Sequence, residues 1–448
     1  MVFQLPNPKV TLTTLLPLLC ACILTLAMTC CATDSNSLAA MSPKEFNVRQ
    51  FGAKGDGINF DTAAIQSALD ACADSGGTVA FPPGTYLSKP LTLHSKTTVK
   101  LAAGATLQAS TNQSDFMKRP GDWLQARGNG DFIPFIGGRH LTNVTLTGGV
   151  IDGGGAVWWG EAEKARRIKP GYTLPRPNLI VIEQCDILCL KDITLQNSPK
   201  FHFVPTECNG VVVSNVTVLA PEHAANTDAI DPSGCKDVLI TQCHIDVGDD
   251  NIAIKAGRKV AGREFASEDI TVTDCAFLHG HGLSIGSETA GGVRNVTVKN
   301  CTFENTENGL RIKSQRGRGG VVENLLYDGI TMKNVDPAIT LTCYYANNSA
   351  GDPAIAAAAD DTTKVSERIP TYRNIRISNL TATCPRAAGT IAGLPESCIT
   401  GVVLENVKIS AAKSFAIRNA KGIELKNVTV TVPQGEPFKL DNAEVKGL

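Results

Sequence analysis

One short phrase returns along the chain from Leu141 onward, and it limits the possible folds more than any other feature. An Asn, Asp or Gly is followed by an apolar residue or Cys and then, most often, by Thr, at a spacing of roughly 21 to 26 residues. The phrase stands at 143–145, 192–194, 215–217, 274–276, 300–302, 329–331, 379–381, 406–408 and 427–429. Each unit holds two or three short alternating strands broken by Gly, Asn or Asp. The pattern predicts a solenoid of stacked rungs, and strands this short favour a parallel β-helix.

The amino-acid composition agrees with a β-helix and limits the classes of molecule that the protein could bind. Length alone, at 448 residues, would suggest two or three domains, but the repeat predicts one elongated domain. The 41 glycines and the low aromatic content of 5% suit short strands and turns. The net charge of -1 leaves no global basic field, so the sequence argues against nucleic acid as a partner. A site that binds an anion would therefore have to depend on a few nearby basic residues rather than on the net charge of the protein.

The first residues have the pattern of an export signal. Lys9 precedes an apolar run from Leu12 to Met28, which ends in small and polar residues at 29–33. We therefore expect a secreted, extracellular protein with no membrane attachment once the signal is removed. An uncleaved anchor and a lipid on Cys30 or Cys31 stay open as alternatives. The expected organisation is a signal peptide, a short linker and a β-helix domain, at 1–32, 33–45 and 46–448.

The ends of the solenoid need covers. Near the N-terminus, Asp61 could cap a helix whose apolar face holds Ile65, Ala68, Leu69 and Cys72. We expect this helix to cover the first rung, the segment 77–107 to form the opening rungs, and 346–371 to leave the coil as a loop. Because a solenoid with capped ends needs no partner, we expect a monomer. The Asn-x-Thr and Asn-x-Ser triplets could accept glycans, but their recurrence favours turns between strands.

Cysteines are numerous, with 15 in the chain, four of them in the leader at 20, 22, 30 and 31. The rest are odd in number, so they cannot all pair within the chain. Export permits disulfides, and Cys384 and Cys398, which flank a Gly/Pro loop, are the pair we favour. We expect Cys243, Cys275 and Cys301 to be small buried side chains, since they occupy apolar strand positions. No spacing indicates zinc, and the sequence indicates no metal or other cofactor.

Four polar strings fall at similar points of successive repeats: Asn226-Thr227-Asp228, Gly248-Asp249-Asp250, Gly280-His281-Gly282 and Arg311-Ile312-Lys313. The first large apolar residue of the strand at each string serves as a ruler. Ile230, Ile252 and Leu283 follow the first three strings, and Leu310 directly precedes the fourth. Two positions before them stand Asp228, Asp250, His281 and Asn308, which would form one column with rungs about 4.8 Å apart. A bend at Gly248 would let Asp249 join Asp250 at the same cleft. Arg311 and Lys313 would both face outward, two positions apart.

This set of groups has a recognisable chemistry. Three clustered carboxylates repel one another and raise each other's pKa values, which is one way to keep a general acid protonated near neutral pH. A histidine and two fixed cations beside them suit acid/base cleavage of an anionic sugar polymer. A structural ladder of Asp and Asn side chains is the alternative, and for a single Asp it would be preferred. For the whole set we favour the functional interpretation.

In this order, the four strings resemble the signature of the polygalacturonases, which are pectin-degrading glycoside hydrolases. The resemblance covers roughly 46–407 and includes further stretches at 51–57, 149–153, 158–159, 197–199 and 286–288. It implies a right-handed parallel β-helix and metal-free, inverting hydrolysis of α-1,4-linked galacturonate. Ala229 departs from a glycine common in the family, and the tyrosine region lacks the glutamine that often precedes it.

The resemblance also implies roles for individual residues. Asp249 would be the general acid, while Asp228 and Asp250 would hold and deprotonate the attacking water. His281 would orient the acid, and Asn226 would support the cleft. Arg311 and Lys313 would bind galacturonate carboxylates. A cleft tyrosine is also implied, and alignment after Ile339 favours Tyr345 over Tyr344.

Several other functions remain to be weighed. Within the family, endo action is favoured by 280–289 and 308–314, and exo action is the alternative. A rhamnogalacturonan hydrolase fits the cation pair less well, since the pair suits galacturonate on both sides of the cut. A pectate lyase would use calcium, which the aspartates could bind. A non-catalytic pectin-binding or adhesin solenoid would need only the repeat, not the acid/base set.

Overall fold

The computed structural model describes residues 44–169, 172–257, 265–345 and 368–448. Within these residues the chain winds into a parallel β-helix, in which each strand pairs in parallel with strands of the adjacent rungs. The coil is right-handed, as connections between parallel strands nearly always are. The predicted fold class is therefore confirmed. The expected leader, most of the linker and most of the loop expected at 346–371 lie outside the described residues.

Among the described residues, the α-helices lie in the N-terminal half, as α1 (Thr62–Ser75) and α2 (Ala156–Ile168). Short 3-10 helices occupy Val48–Phe51, Gln113–Phe116, Trp123–Gln125 and Asn129–Asp131. Its strands are β1 (Glu45–Asn47), β2 (Asp56–Phe60), β3 (Gly77–Phe81), β4 (Gly84–Ser88), β5 (Leu91–Thr92), β6 (Thr97–Leu101), β7 (Ala105–Ala109), β8 (Ile136–Thr147), β9 (Val150–Asp152), β10 (Ile180–Lys191), β11 (Thr194–Gln196), β12 (Phe203–Thr206), β13 (Asn209–Ser214) and β14 (Thr217–Leu219). The opening rungs thus include the segment predicted to form them.

The C-terminal half consists of strands in the same coil. They are β15 (Lys236–Thr241), β16 (His244–Asp246), β17 (Ile252–Ala256), β18 (Ser267–Thr273), β19 (Ala276–Phe277), β20 (Leu283–Thr289), β21 (Val293–Lys299), β22 (Thr302–Glu304), β23 (Leu310–Lys313), β24 (Val321–Lys333), β25 (Ile339–Thr342), β26 (Thr371–Ala392), β27 (Ile399–Thr431) and β28 (Phe438–Lys446). At the far end β28 pairs with β27 alone and is largely exposed. The cap expected there is absent from the part of the chain that the structure describes.

The core is a set of apolar columns that run along the coil. Because side chains alternate in and out along a strand, each rung buries every second residue. In β13, for example, Val211 and Val213 are buried while Val212 is 36% exposed. Val211 pairs with Leu188 on one side and Val238 on the other, so like residues stack. Each such burial contributes about 1.5–3 kcal/mol relative to an exposed side chain, which fixes the register of the rungs.

The repeated phrase owes its recurrence to a turn. Its first residue has a left-handed backbone in every copy, with φ from 52° at Asn379 to 68° at Gly329, a conformation that Asn, Asp and Gly tolerate best. The side chains also bond from rung to rung. Asn379 Nδ2 donates to Asp328 Oδ1 at 2.7 Å, and Asn406 Nδ2 donates to Asn379 Oδ1 at 3.2 Å. The interpretation of these triplets as turns is confirmed.

The Asn ladder predicts a specific pattern of stability loss at Asn379. Replacement by Ala removes two ladder hydrogen bonds and leaves a β-carbon in the left-handed region, so we expect the free energy of unfolding to fall by about 2–4 kcal/mol. Replacement by Gly removes the ladder bonds but suits the backbone, so its loss should be smaller by about 1 kcal/mol. Urea denaturation of both variants measures the difference. Equal losses would show that the backbone conformation contributes nothing.

The helix α1 covers the first rung as expected, with Ile65, Ala68, Leu69 and Cys72 buried. The role expected for Asp61 is wrong. Asp61 precedes the helix but makes no side-chain cap bond. Its carboxylate instead accepts hydrogen bonds from the backbone amides of Lys54 at 2.7 Å and Gly55 at 2.9 Å, and it thereby holds the preceding loop against α1.

The disulfide expected between Cys384 and Cys398 is also wrong, since both cysteines are free. Cys384 lies in β26, where it pairs with Ala411 of the next rung, whereas Cys398 directly precedes β27. About half a turn of the coil separates them, so the loop between them does not bring them together. The buried, unpaired state expected for Cys243, Cys275 and Cys301 is confirmed.

Candidate active site

The four polar strings lie on successive rungs of one side of the coil. The ruler residues pair in the predicted order, Ile230 with Ile252, Ile252 with Leu283, and Leu283 with Leu310. This register places the first three strings in adjacent turns on one side of the coil and the fourth string within β23. The predicted column is therefore present in the structure. It brings together groups that are far apart in sequence.

Close packing of the turns explains two glycines in the strings. A β-carbon on Gly248 would lie 2.5 Å from the backbone oxygen of Ala224, and one on Gly282 would lie 2.0 Å from that of Asn308. Real side chains cannot approach that closely. Gly282 also has a positive φ of 72°, which glycine adopts readily. The turn at Gly248 bends as expected, so that Asp249 and Asp250 both face the cleft.

Asp249 is held from two sides. Its Oδ1 lies 2.9 Å from His281 Nδ1, and its Oδ2 accepts hydrogen bonds from the backbone amide and the side-chain Nδ2 of Asn226 at 3.3 and 3.4 Å. Burial by itself would raise the pKa of this carboxyl, but the charges of His281, Lys313 and Arg311 outweigh it and lower the pKa. In the free protein, Asp249 is therefore ionised.

His281 connects Asp249 to the rim of the cleft. Its second ring nitrogen, Nε2, lies 3.0 Å from a carboxylate oxygen of Glu307. Burial would lower the pKa of the imidazole, but Asp249 and Glu307 stabilise the protonated form and raise the pKa to about 10. At neutral pH the titratable proton of this pair is therefore on the imidazole of His281, and Asp249 is a carboxylate.

Asp250 occupies the centre of a charged cluster and is 2% exposed. Arg311 Nη2 donates to its Oδ1, Lys313 Nζ donates to its Oδ2 at 2.7 Å, and Ser284 Oγ donates to Oδ1 at 3.0 Å. Burial would raise the pKa of Asp250, but the two cations lower it. Both cations line the cleft. The sequence did not predict the bonds from Arg311 and Lys313 to Asp250, since it assigned both cations to a substrate carboxylate.

Asp228 has the opposite electrostatic setting. It is 4% exposed, and burial together with the charges of Asp231 and Asp249 raises its pKa well above the ordinary value. Lys255 Nζ lies 3.4 Å from its Oδ2 but is bonded more closely to Asp231, and Asp228 Oδ1 has no hydrogen-bond partner within the described residues. Among the aspartates that line the cleft, the carboxyl with the raised pKa is therefore Asp228 and not Asp249, for which the sequence predicts the general-acid role.

All eight residues selected from the sequence line one cleft of about 230 Å³. They are Asn226, Asp228, Asp249, Asp250, His281, Arg311, Lys313 and Tyr345. The ring of Tyr345 lies 5.1 Å from Lys313 Nζ, whereas Tyr344 points elsewhere and its hydroxyl accepts a bond from Asn419 Nδ2 at 3.3 Å. The preference for Tyr345 thus agrees with its position in the structure.

Three residues of the site escaped the sequence analysis. Lys255 had a readable signal, because it directly follows the inward Ile254 just as Lys313 follows the inward Ile312 of its own rung. Glu307 lies in the turn before β23, one position before the column residue Asn308. Arg176 gave no signal, since it comes from a non-repeating segment. It is 1% exposed, and its Nη2 donates to the backbone oxygen of Ala225 at 2.8 Å and to Asn226 Oδ1 at 3.3 Å.

The electrostatics of the cleft favour an anionic ligand over a metal ion. Asp249, Asp250 and His281 offer ligand atoms within 4.8 Å of one another, a spacing that could hold a cation. However, Arg311 and Lys313 already bond both oxygens of Asp250. A protonated imidazole has no free lone pair for a metal. The same cations would attract a carboxylate.

The raised pKa of His281 predicts how stability depends on pH. The pKa rises from 6.5 to about 10 on folding, so the stabilisation is complete below 6.5 and is lost as pH rises toward 10. In that window the free energy of unfolding should fall with pH more steeply for the wild type than for His281→Gln, by up to about 1.4 kcal/mol per pH unit. Urea denaturation at several pH values measures both slopes. Parallel slopes would contradict the assignment of the proton to His281.

Comparison with known proteins agrees with this geometry. The model of Glycosyl hydrolases family 28 matches residues 75–431. The endo-polygalacturonase of Pectobacterium carotovorum subsp. carotovorum is 33% identical over 371 residues, which cover 80% of this chain and 86% of that protein.

Solved structures extend the comparison to three dimensions. The polygalacturonase from Erwinia carotovora ssp. carotovora has a TM-score of 0.69 at 30% identity, covering 93% of this chain and 100% of its own. A hyperthermoactive exopolygalacturonase from Thermotoga maritima has a TM-score of 0.72 at 26% identity, covering 87% and 93%. The family match covers most of the chain and agrees with the motifs found in the sequence. This chain therefore belongs to the glycosyl hydrolases of family 28 and is a glycoside hydrolase.

Proposed function

We propose that this protein is a polygalacturonase that hydrolyses the α-1,4 bonds of pectate by single displacement with inversion, and that it cuts within the polymer. The observation that carries the proposal is the position of Asp249, which lies beside a protonated His281 in a cleft that also contains Arg311 and Lys313. A carboxyl in the position of a general acid, with two cations in the same cleft, suits a negatively charged sugar polymer.

Substrate binding would change the protonation state of Asp249 from the ionised form of the free protein to the protonated form that can act as an acid. A galacturonate carboxylate that binds to Arg311 and Lys313 would neutralise part of the charge that keeps the pKa of Asp249 low. The carboxyl of Asp249 would then accept a proton and donate it to the leaving oxygen. Asp228, whose pKa is raised by burial and by neighbouring aspartates in the free protein, would supply that proton.

The remaining carboxylates would activate water. With the proton transferred to Asp249, Asp228 and Asp250 are both ionised and can hold and deprotonate a water molecule at the sugar carbon. Asn226 would keep Asp249 in place through its two contacts with Oδ2. Tyr345 would contribute a wall of the sugar site beside Lys313.

A time course on de-esterified polygalacturonate, with a chelator present, tests this function. We expect a spread of saturated oligomers early in the reaction and no absorbance from unsaturated sugars. Monomer or dimer alone would preserve the chemistry but replace endo by exo action, the activity named for the Thermotoga maritima structure. Unsaturated products, or activity lost to the chelator, would instead indicate a lyase and overturn the proposal.

We also propose that the enzyme is secreted and acts as a monomer. The apolar leader supports export, with 1–32 as signal peptide, 33–45 as linker and 46–448 as catalytic domain. In the described residues no helix has the length and apolarity needed to span a bilayer. One chain supplies all the groups of the cleft described above. N-terminal sequencing of the exported protein and its mass in solution test both points.

A further inference from the structure

One cation of the cleft is not used by the proposed chemistry. Four arginine and lysine residues line the cleft, and three of them, Lys255, Arg311 and Lys313, pair with buried aspartates. The fourth is Arg166, which is exposed at the end of α2. It has no carboxylate partner among the residues that the structure describes. A solvated guanidinium facing a sugar-binding cleft has its donors available for a ligand.

Arg166 lies on an insertion that reaches the cleft from one end. The helix α2 leaves the coil after β9 and the chain returns to it at β10, before the rungs that carry Asp228 and Asp250. Arg311 and Lys313 follow those rungs. The insertion therefore approaches the cleft from the N-terminal side of the aspartates, and the cation pair approaches it from the C-terminal side.

The insertion is anchored at its start. Trp158 is fully buried at the beginning of α2, and its ring packs against Trp123, Phe116 and Phe132 with centroid distances of 4.9, 6.0 and 5.9 Å. The neighbouring Trp159 donates from Nε1 to the backbone oxygen of Ser198 at 3.1 Å. These contacts give the paired tryptophans of the sequence a structural purpose, because they fix the direction of the helix.

The returning segment is anchored to the catalytic rung itself. Arg176 donates to the backbone oxygens of Leu174, Pro199 and Ala225 at 3.1, 2.8 and 2.8 Å. Tyr172, which is 38% exposed, lines the cleft a few residues earlier. The wall that bears Arg166 and Tyr172 is thus held in a defined position relative to the aspartates. An aromatic ring and a guanidinium that line the same cleft provide a stacking surface for a sugar and a partner for its carboxylate.

We propose that Arg166 and Tyr172 form an additional subsite, on the N-terminal side of the aspartates, which binds a galacturonate unit of the polymer away from the bond that is cut. The inference rests on the proposed function and deepens it. A unit bound there adds affinity only when the substrate is long enough to reach from the reaction centre to α2. The subsite therefore favours polymer over short fragments, as endo action requires.

Chain-length profiles of activity test the subsite. We expect Arg166→Gln to lower kcat/KM about tenfold on polygalacturonate and on the longest galacturonate oligomers, which corresponds to ~1.4 kcal/mol. The shortest oligomer that is cleaved should react as with the wild type. Arg166→Lys should restore part of the loss, since a point charge replaces the planar guanidinium. Tyr172→Ala should show the same length dependence, and Tyr172→Phe should keep wild-type behaviour.

The adjacent Arg167 provides a matched control. It is on the same turn of α2 and is 76% exposed in its side chain, but its Nη2 pairs with Glu163 at 2.6 Å and it does not line the cleft. Arg167→Gln should match the wild type at all lengths. Equal activity of Arg166→Gln and Arg167→Gln on polymer, or a loss that is the same at every length, would overturn the subsite. A wild type that releases no product from polygalacturonate would instead refute the proposed function.

Discussion

Replacing Asp249 with Asn is expected to reduce kcat on polygalacturonate by about 10²–10⁴-fold, the range associated with loss of a general acid. An amide keeps the size of the side chain and can still accept a bond from His281 Nδ1. It cannot donate a proton to the leaving oxygen. Polymer binding should persist, because Arg311 and Lys313 are unchanged. Release of reducing ends measures turnover, and calorimetric titration of the variant with polygalacturonate measures binding.

The chain offers a matched control for this substitution. Asp246 forms a pair with His279 Nδ1 at 2.9 Å, the same distance as between Asp249 and His281, but neither residue of this second pair lines the cleft. Asp246→Asn should therefore leave kcat unchanged. If Asp249→Asn retained more than about a tenth of wild-type turnover, Asp249 could not be the acid. If the variant lost binding as well, its main role would lie in substrate recognition.

Replacing Arg311 with Gln should reduce both stability and activity. The substitution leaves the buried carboxylate of Asp250 with Lys313 as its remaining cation and also removes the bond from Arg311 Nε to Ser284 Oγ, which is 2.8 Å long. Breaking a buried ion pair from one side costs about 3–5 kcal/mol, and Lys313 offsets part of that cost. We expect a loss of about 2–4 kcal/mol in the free energy of unfolding. Activity should fall more than tenfold, because the substrate carboxylate loses a partner.

An exposed ion pair near the end of the same rung serves for comparison. Arg316 Nε lies 2.6 Å from Glu396, and the two side chains are 48% and 41% exposed. Pairs of this kind contribute about 0–1 kcal/mol, so Arg316→Gln should scarcely change the urea midpoint. A similar loss of stability in both variants would show that Asp250 tolerates the removal of its cation. It would also refute the charge balance described for the cleft.

The sequence was most informative where the coil repeats. Positions two before Ile230, Ile252 and Leu283 could be aligned without coordinates, because one residue per rung must face the core and the rungs stack in register. Left-handed turns at Asn and Asp also follow from local chemistry. These two rules together predicted which carboxylates and cations share a cleft.

The repeat gave no information on contacts that depend on side-chain length or on insertions. Lys313 reaches Asp250 across two rungs, and that reach depends on rotamers rather than on register. Arg176 comes from a segment without a repeat, so no pattern pointed to it. The predicted bond between Cys384 and Cys398 is absent, because closeness in sequence does not imply closeness in space. In a solenoid, residues half a turn apart lie on different sides.

The stereochemistry of the first product tests the central claim most directly, namely that Asp249 and its neighbours hydrolyse galacturonan by a single displacement. Proton NMR of the reaction within the first turnovers observes the new reducing end before mutarotation mixes its anomers. Inversion at an α-linked unit predicts that the β-anomer of a saturated sugar appears first. Early accumulation of the α-anomer would indicate a covalent intermediate, and an unsaturated product would indicate elimination. Either result would contradict the proposed mechanism.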